Sequence, residues 1–148
     1  MKKENRLPAT QFHLIELEFG DIINGRYETD STGKPSNNMT VRKTYKLIGG
    51  YKLYITEVRS KGFIEFYYYD LYDKNGAVVM KFGSESHEGD PRYQTSTEPF
   101  HIHGPLECKL NNIKRIANEN YRDLFHIMEF IRLMLIFTKQ MPNLHNLK

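Results

Sequence analysis

The sharpest chemical feature of the sequence is a closely spaced pair of histidines, His101 and His103. On a β-strand, alternation would send both imidazoles to one face and Ile102 to the other. Paired imidazoles can share a metal ion, bind phosphate or move protons near neutral pH. His87, near the start of the preceding polar loop, could join them. The simpler interpretation is that these are hydrogen-bonded polar residues at a sheet edge, and an isolated His-x-His pair favours it.

A metal site is the first alternative use of these residues. The segment from His101 to Glu107 has the His-x-His-x3-Glu spacing of cupin metal ligands. The glycine that cupins carry six residues before the first histidine is Thr95 here, and no second cupin motif follows. Three histidines suffice for a divalent ion. In this interpretation His87, His101 and His103 would hold one divalent transition metal, with Glu107 or Glu57 as the fourth ligand.

Other charged and aromatic residues could assist the histidines. Glu57 interrupts an otherwise alternating strand and could orient an imidazole or act as a base. Lys81 and Arg92 could contact phosphates. Tyr67 belongs to a tyrosine-rich strand whose rings could stack on bases. The ordinary alternatives are solvated surface charges and core packing of strand aromatics.

The elements that would position these residues are clearest between residues 39 and 82. Four strands alternate with turns rich in glycine, including Gly49-Gly50 and Asn75-Gly76, and such short turns produce an antiparallel meander. The predicted strands are Met39 to Ile48, Tyr51 to Arg59, Phe63 to Tyr72 and Ala77 to Phe82. Shorter strands are predicted over Ile22 to Tyr27 and Pro99 to His103.

Two helices are predicted to flank the sheet. Leu124, Met128, Ile131 and Leu135 recur at helical spacing, which predicts an amphipathic helix over 121–139. Asn120 is its expected N-cap, with Asp123 three residues later in a capping-box-like arrangement.

An N-terminal helix over 9–19 follows from Phe12, Ile15 and Phe19, although Leu14 and Leu17 fit an alternating pattern instead. Pro8 and Thr10 suit a helix start. The expected fold is therefore α+β, one domain over residues 1–148.

Composition narrows the function classes. A single cysteine rules out an intramolecular disulfide. The most apolar run, Ile131 to Phe137, is interrupted by Arg132 and is too short to cross a bilayer, so we expect a cytoplasmic protein without a membrane partner. The formal net charge of +3 permits nucleic-acid binding without requiring it. Since no P-loop or dinucleotide fingerprint is present, ATP-driven and nicotinamide chemistry are not expected.

The order of these features resembles the TumE-type toxin family of bacterial toxin–antitoxin modules, over roughly residues 40–137. The resemblance rests on a strand ending in an acid, a Tyr-x-Tyr strand, a spaced histidine, a Pro-x-His-x-His segment and a short C-terminal helix. The matching segments are Leu53 to Glu57, Tyr67 to Leu71, His87, Pro99 to His103 and Tyr121 to Leu124. The run from Gly83 to Glu88 departs from the family's Asp-Asn-Ala-Pro-His-His.

This resemblance implies an α+β fold, a prokaryotic source and a helix-turn-helix antitoxin partner encoded nearby. Carried over residue by residue, the family's marked positions are Glu57, Tyr69, His87, His101 and His103. Together with the residue chemistry, it favours a toxin acting on RNA by metal-independent, ribonuclease-like acid–base catalysis, with no cofactor. His101 and His103 would be acid and base, with Lys81, Arg92 and Tyr67 binding the substrate. A metal-binding protein and a non-catalytic module that binds its antitoxin through the aromatic sheet remain the alternatives.

Overall fold

The computed structural model of the chain describes residues 6–84, 95–104 and 116–140. Within these ranges, eight strands form a single antiparallel sheet accompanied by two α-helices, which confirms the α+β fold class. The strands are β1 Leu7–Pro8, β2 Ile23–Tyr27, β3 Thr40–Leu47, β4 Lys52–Ser60, β5 Phe63–Tyr72, β6 Val78–Gly83, β7 His101–His103 and β8 Ile116–Ala117. The helices are α1 Phe12–Glu18 and α2 Leu124–Gln140. Strands β2 to β8 follow one another across the sheet in chain order, and β1 pairs with β5.

The turns that produce the meander depend on glycine where the backbone is left-handed. Between β3 and β4, Gly49 and Gly50 have φ values of 75° and 82°, which glycine adopts without a steric penalty. Gly50 is also confined by its neighbour, because a Cβ there would lie 2.7 Å from the Cβ of Lys74. The glycine pair therefore sets both the turn between β3 and β4 and its close approach to the turn between β5 and β6.

Strand pairing divides the side chains between two faces of the sheet, because directly paired residues project to the same side. One face, here called the outer face, carries two rows that run across β4, β5, β6 and β7. These rows are Thr56, Tyr68, Gly83 and His101, and Tyr54, Asp70, Lys81 and His103. The opposite face, here called the helix face, carries Glu57 beside Tyr67, and Ile55 beside Tyr69 and Phe82.

The helices form the core with the helix face. The side chains of α2 at Leu124, Ile127, Met128, Ile131 and Leu135 are buried, in the helical spacing expected from the sequence. Burial of each such aliphatic side chain contributes about 1.5–3 kcal/mol. The tyrosines and Phe82 of the helix face belong to the same apolar cluster.

The N-terminal segment also follows the helical pattern. Ile15 and Phe19 are buried, whereas Leu14 and Leu17 are 52% and 67% exposed. The alternating reading of this segment is therefore wrong. Phe19 meets Phe125 edge-to-face at 5.1 Å between ring centroids, which joins α1 to α2.

The start of α2 differs from the sequence prediction. Asp123, rather than Asn120, acts as the N-cap, since its Oδ1 accepts the backbone N–H of His126 at 2.8 Å. The preceding residues form a separate turn, in which Asn118 Oδ1 accepts the backbone N–H of Tyr121 at 2.9 Å. Because Asn120 lies within this turn, it does not cap the helix. Helix α2 begins at Leu124, three residues after the start predicted from an Asn120 cap.

None of the helices in the described ranges is both long and apolar enough to cross a membrane.

The observed cap gives a direct test. Asp123→Ala should lower the free energy of unfolding by about 1 kcal/mol, because it removes the acceptor for an otherwise unpaired N–H of the first helical turn. Asn120→Ala is the matched control and should change it by less than about 0.5 kcal/mol. Urea unfolding measures both, and an equal or larger effect at Asn120 would contradict this cap assignment.

Candidate functional site

The histidine pair lies on β7, on the outer face of the sheet. His101 is paired with Gly83 and His103 with Lys81, both on β6. The imidazole rings of the two histidines are 5.0 Å apart between centroids and nearly perpendicular, at 86°. Ile102 points the other way and packs against the core. The expectation that both imidazoles share one face is therefore confirmed.

The two histidines differ in their surroundings. His101 is only 2% exposed, and its Nδ1 lies 2.9 Å from the carbonyl oxygen of Pro99. Because a carbonyl only accepts, this bond places the Nδ1 hydrogen on His101 and leaves Nε2 as an acceptor in the neutral ring. A Cβ at Gly83 would lie 2.8 Å from that Nε2, so the missing side chain makes room for the imidazole. His103 is half-buried and is the more accessible of the pair.

Lys81 supplies a cation beside the pair. It lies directly opposite His103 across the β6–β7 ladder, and its Nζ is 6.0 Å from the centroid of the Tyr72 ring. On its other side Lys81 is paired with Asp70 of β5. Burial raises the pKa of the Asp70 carboxyl, and the nearby charge of Lys81 partly opposes that rise. The outer face thus carries Lys81 and Asp70 in the same cross-strand row as His103.

Glu57 lies on the opposite side of the sheet, within the core. Its Oε1 accepts the hydroxyl of Tyr69 at 2.5 Å and also the hydroxyl of Thr10. Its Oε2 accepts Nε and Nη2 of Arg59 at 3.1 and 2.9 Å. Glu57 is fully buried, and four donors surround its carboxylate. This carboxylate therefore neither orients the histidines nor reaches a substrate bound beside them.

The two tyrosines predicted to act with the histidines are also core residues. Burial, followed by the charge of Glu57, raises the pKa of Tyr69 well above its usual range, so its phenol stays neutral and donates to that carboxylate. Tyr67 stacks on Tyr69 at 4.1 Å, and its hydroxyl donates to the carbonyl of Arg122. Instead of binding substrate, Tyr67 is fully buried and joins β5 to the start of α2.

Three predicted site residues, His87, Arg92 and Glu107, lie outside the described residues. Among the residues that are described, no group of three His, Cys, Asp or Glu side chains is placed to hold a metal ion. Of the candidate ligands in the metal-binding alternative, the structure describes His101, His103 and Glu57, and Glu57 lies on the opposite face from the two histidines.

The sequence analysis missed the partners that account for Glu57, and it missed Asp70, which pairs with Lys81. Arg59 follows Glu57 by two residues, so strand alternation could have placed both on one face. The Asn75-Gly76 turn could likewise have placed Asp70 beside Lys81. No comparable local signal connects Thr10 with Glu57, which are 47 residues apart.

Comparison of the chain with protein-family models, with curated proteins and with solved structures found no match. The TumE-type resemblance therefore stays a hypothesis from the sequence.

The Glu57 cluster gives a stability prediction. Glu57→Gln should lower the free energy of unfolding by about 3 kcal/mol, since it leaves the charge of Arg59 unpaired at a largely buried site. Tyr69→Phe should cost about 2 kcal/mol, because it removes one hydrogen bond to a buried carboxylate. Urea unfolding near pH 7 measures both.

Tyr54→Phe is the matched control for Tyr69→Phe, because it removes a tyrosine hydroxyl from the outer face of the neighbouring strand. It should change the free energy of unfolding by less than about 0.5 kcal/mol. If Glu57→Gln were as mild as this control, the carboxylate would not be a structural centre.

Asp70 gives a pH-dependence prediction. The pKa of the Asp70 carboxyl is higher in the folded than in the unfolded protein. Its contribution to the free energy of unfolding therefore decreases as the pH rises above 3.8, the ordinary pKa of this group, and through the folded-state pKa. Asp70→Asn lacks this titrating carboxyl. The free energy of unfolding of Asp70→Asn should therefore increase relative to that of the parent as the pH rises. Urea unfolding between about pH 3 and pH 8 measures the difference, and a difference that stays constant would contradict the assigned shift.

Proposed function

We propose that this protein is the toxin of a toxin–antitoxin module and that it cleaves RNA at the outer face of its sheet. The observation that carries the proposal is the contact between the imidazoles of His101 and His103, with Lys81 directly opposite His103. Two imidazoles and a cation are the groups that metal-independent RNA cleavage needs. They share their face with Tyr54 and Tyr68, whose rings suit a single-stranded nucleic acid.

The chemistry follows the two roles that an imidazole pair can fill. One neutral imidazole takes the proton of a ribose 2′-hydroxyl, whose oxygen attacks the adjacent phosphorus. The second, protonated imidazole gives its proton to the leaving 5′-oxygen as the P–O bond breaks. The products are a 2′,3′-cyclic phosphate and a 5′-hydroxyl end. Lys81 offsets the negative charge that develops on the phosphoryl oxygens.

Exposure distinguishes the two histidines without fixing which is the acid. His103 is the more accessible and would contact the substrate first. His101 is held by the carbonyl of Pro99 and by contact with Gly83, so its ring has a defined orientation. Its neutral Nε2 is an acceptor, as a base requires.

The proposed module includes an antitoxin of the helix-turn-helix class. Apolar side chains on the outward sides of α1 and α2, including Leu17 and Leu133 at 67% and 68% exposure, are available to a protein partner. They belong to the helices that cover the helix face, on the side of the sheet opposite the histidines.

Induced expression in a bacterial culture tests the proposal. The parent chain should arrest growth, and His103→Ala should relieve the arrest. Both purified proteins are also assayed for RNA cleavage in the presence of a chelator. Under these conditions His103→Ala should cleave RNA about 10²- to 10⁴-fold more slowly than the parent, since this is the usual contribution of one acid–base group. His101→Gln should have a similar effect while filling most of the space of the buried ring.

His13→Ala is the control, because His13 is exposed on α1 and belongs to no part of the proposed site. It should arrest growth like the parent. Thermal melts establish that each variant accumulates folded. The proposal fails if the parent does not arrest growth or if folded His103→Ala still does. Cleavage that depends on added divalent metal would support the metal-binding alternative instead.

A further inference from the structure

A cleft of about 450 Å³ opens at the end of the outer face nearest the turn between β5 and β6. Its walls include Lys52 and Tyr54 at the start of β4, Tyr72 at the end of β5, and Lys74 in the following turn. This volume is within the usual range for small-ligand sites, about 300–1,000 Å³. Of these residues, the function proposed above uses Tyr54 alone, as a tyrosine of the outer face.

One wall of the cleft is aromatic. Tyr54 and Tyr72 meet edge-to-face with ring centroids 5.3 Å apart and planes at 70°. Both side chains are half-buried, so each is held by its neighbours and still lines the cleft. Tyrosine faces of this kind stack on bases with little dependence on sequence.

The rest of the cleft carries positive charge. Lys52 and Lys74 are both exposed, and neither forms an ion pair with any side chain in the described part of the protein. Asp73 also lines the cleft, but its Oδ1 accepts the backbone N–H groups of Asn75 and Ala77, each at 2.9 Å. The carboxylate is thereby held in the turn, while the two ammonium groups are available to an anion.

We infer that this cleft binds one nucleotide of a single-stranded RNA, with its base against Tyr54 and Tyr72 and its phosphate at Lys52 and Lys74. This inference rests on the proposed function and adds the substrate class and a second contact. Tyr54 lies in the same cross-strand row as His103, three strands away, which is about 14 Å at the usual strand spacing. A strand held in the cleft would therefore cross β5 and β6 to bring a nearby phosphate to the histidines.

Binding is tested in the His103→Ala background, where the labelled RNA stays intact. The probe is a short, unstructured, fluorescently labelled RNA, read by anisotropy at several salt concentrations. Lys52→Gln/Lys74→Gln should weaken binding at least tenfold and reduce the slope of log K against log salt by about 1.4, since each lysine contributes about 0.7 on a single strand. Tyr72→Leu should weaken it about tenfold through lost stacking, whereas Tyr72→Phe should keep most of the affinity.

Lys61→Gln is the matched control for Lys74→Gln, because it removes the same charge from a turn at the opposite end of β5. The inference is overturned if the His103→Ala protein does not bind the RNA, or if the cleft variants in that background bind it as tightly as Lys61→Gln. If the cleft variants lose binding but the parent neither arrests growth nor cleaves RNA, the cleft stands and the proposed catalysis fails. If RNA is cleaved and the cleft variants bind normally, the catalysis stands and the cleft assignment fails.

Discussion

The buried carboxylate of Glu57 is the interaction on which the arrangement of the sheet depends. A charge inside a core costs several kcal/mol unless donors surround it. Here the donors come from three parts of the chain: Thr10 before α1, Arg59 at the end of β4, and Tyr69 on β5. Arg59 also donates to the carbonyl of Thr10 and lies 5.4 Å from the ring of Phe12. The Glu57 carboxylate thus bonds the N-terminal segment to the sheet. Its hydrogen bond from Tyr69 forms with β4 and β5 paired in the register observed.

That register decides what the outer face contains. Side chains alternate along a strand, so a slip of one residue would exchange the two faces. With Glu57 and Tyr69 directed into the core, Tyr54 and Asp70 must point outward, and β6 and β7 extend the pattern to Lys81 and His103. Glu57 therefore affects the histidines through the register of the sheet and makes no contact with them. A residue can matter to a site without belonging to it.

The sequence predicted the strands, turns and helices well, but it predicted poorly which side chains meet across neighbouring strands. Long alternating strands, the glycine turns and the helical spacing of Leu124 to Leu135 are local signals, and the structure confirms each of them. The structure separates Glu57 from the histidines, and predicting this required knowing the register of all three ladders between β4 and β7. The two-residue strands β1 and β8 are too short to have a period, and only tertiary pairing defines them. The cap of α2 was displaced because Asn118 forms its own turn, a choice between equivalent local hydrogen bonds.

The row of Tyr54, Asp70, Lys81 and His103 contains an acid among groups proposed to bind an anion, and its position has a physical consequence. Asp70 is the described carboxylate nearest to Lys81 along the row, and burial already disfavours its charge. An RNA phosphate at His103 would compete with Asp70 for the same ammonium group. Asp70 would then weaken binding without taking part in proton transfer, since it lies across β6 from the histidines. On this face, Asp70 would therefore affect the affinity for RNA and His103 the proton transfer, and both residues would act on a phosphate held by Lys81.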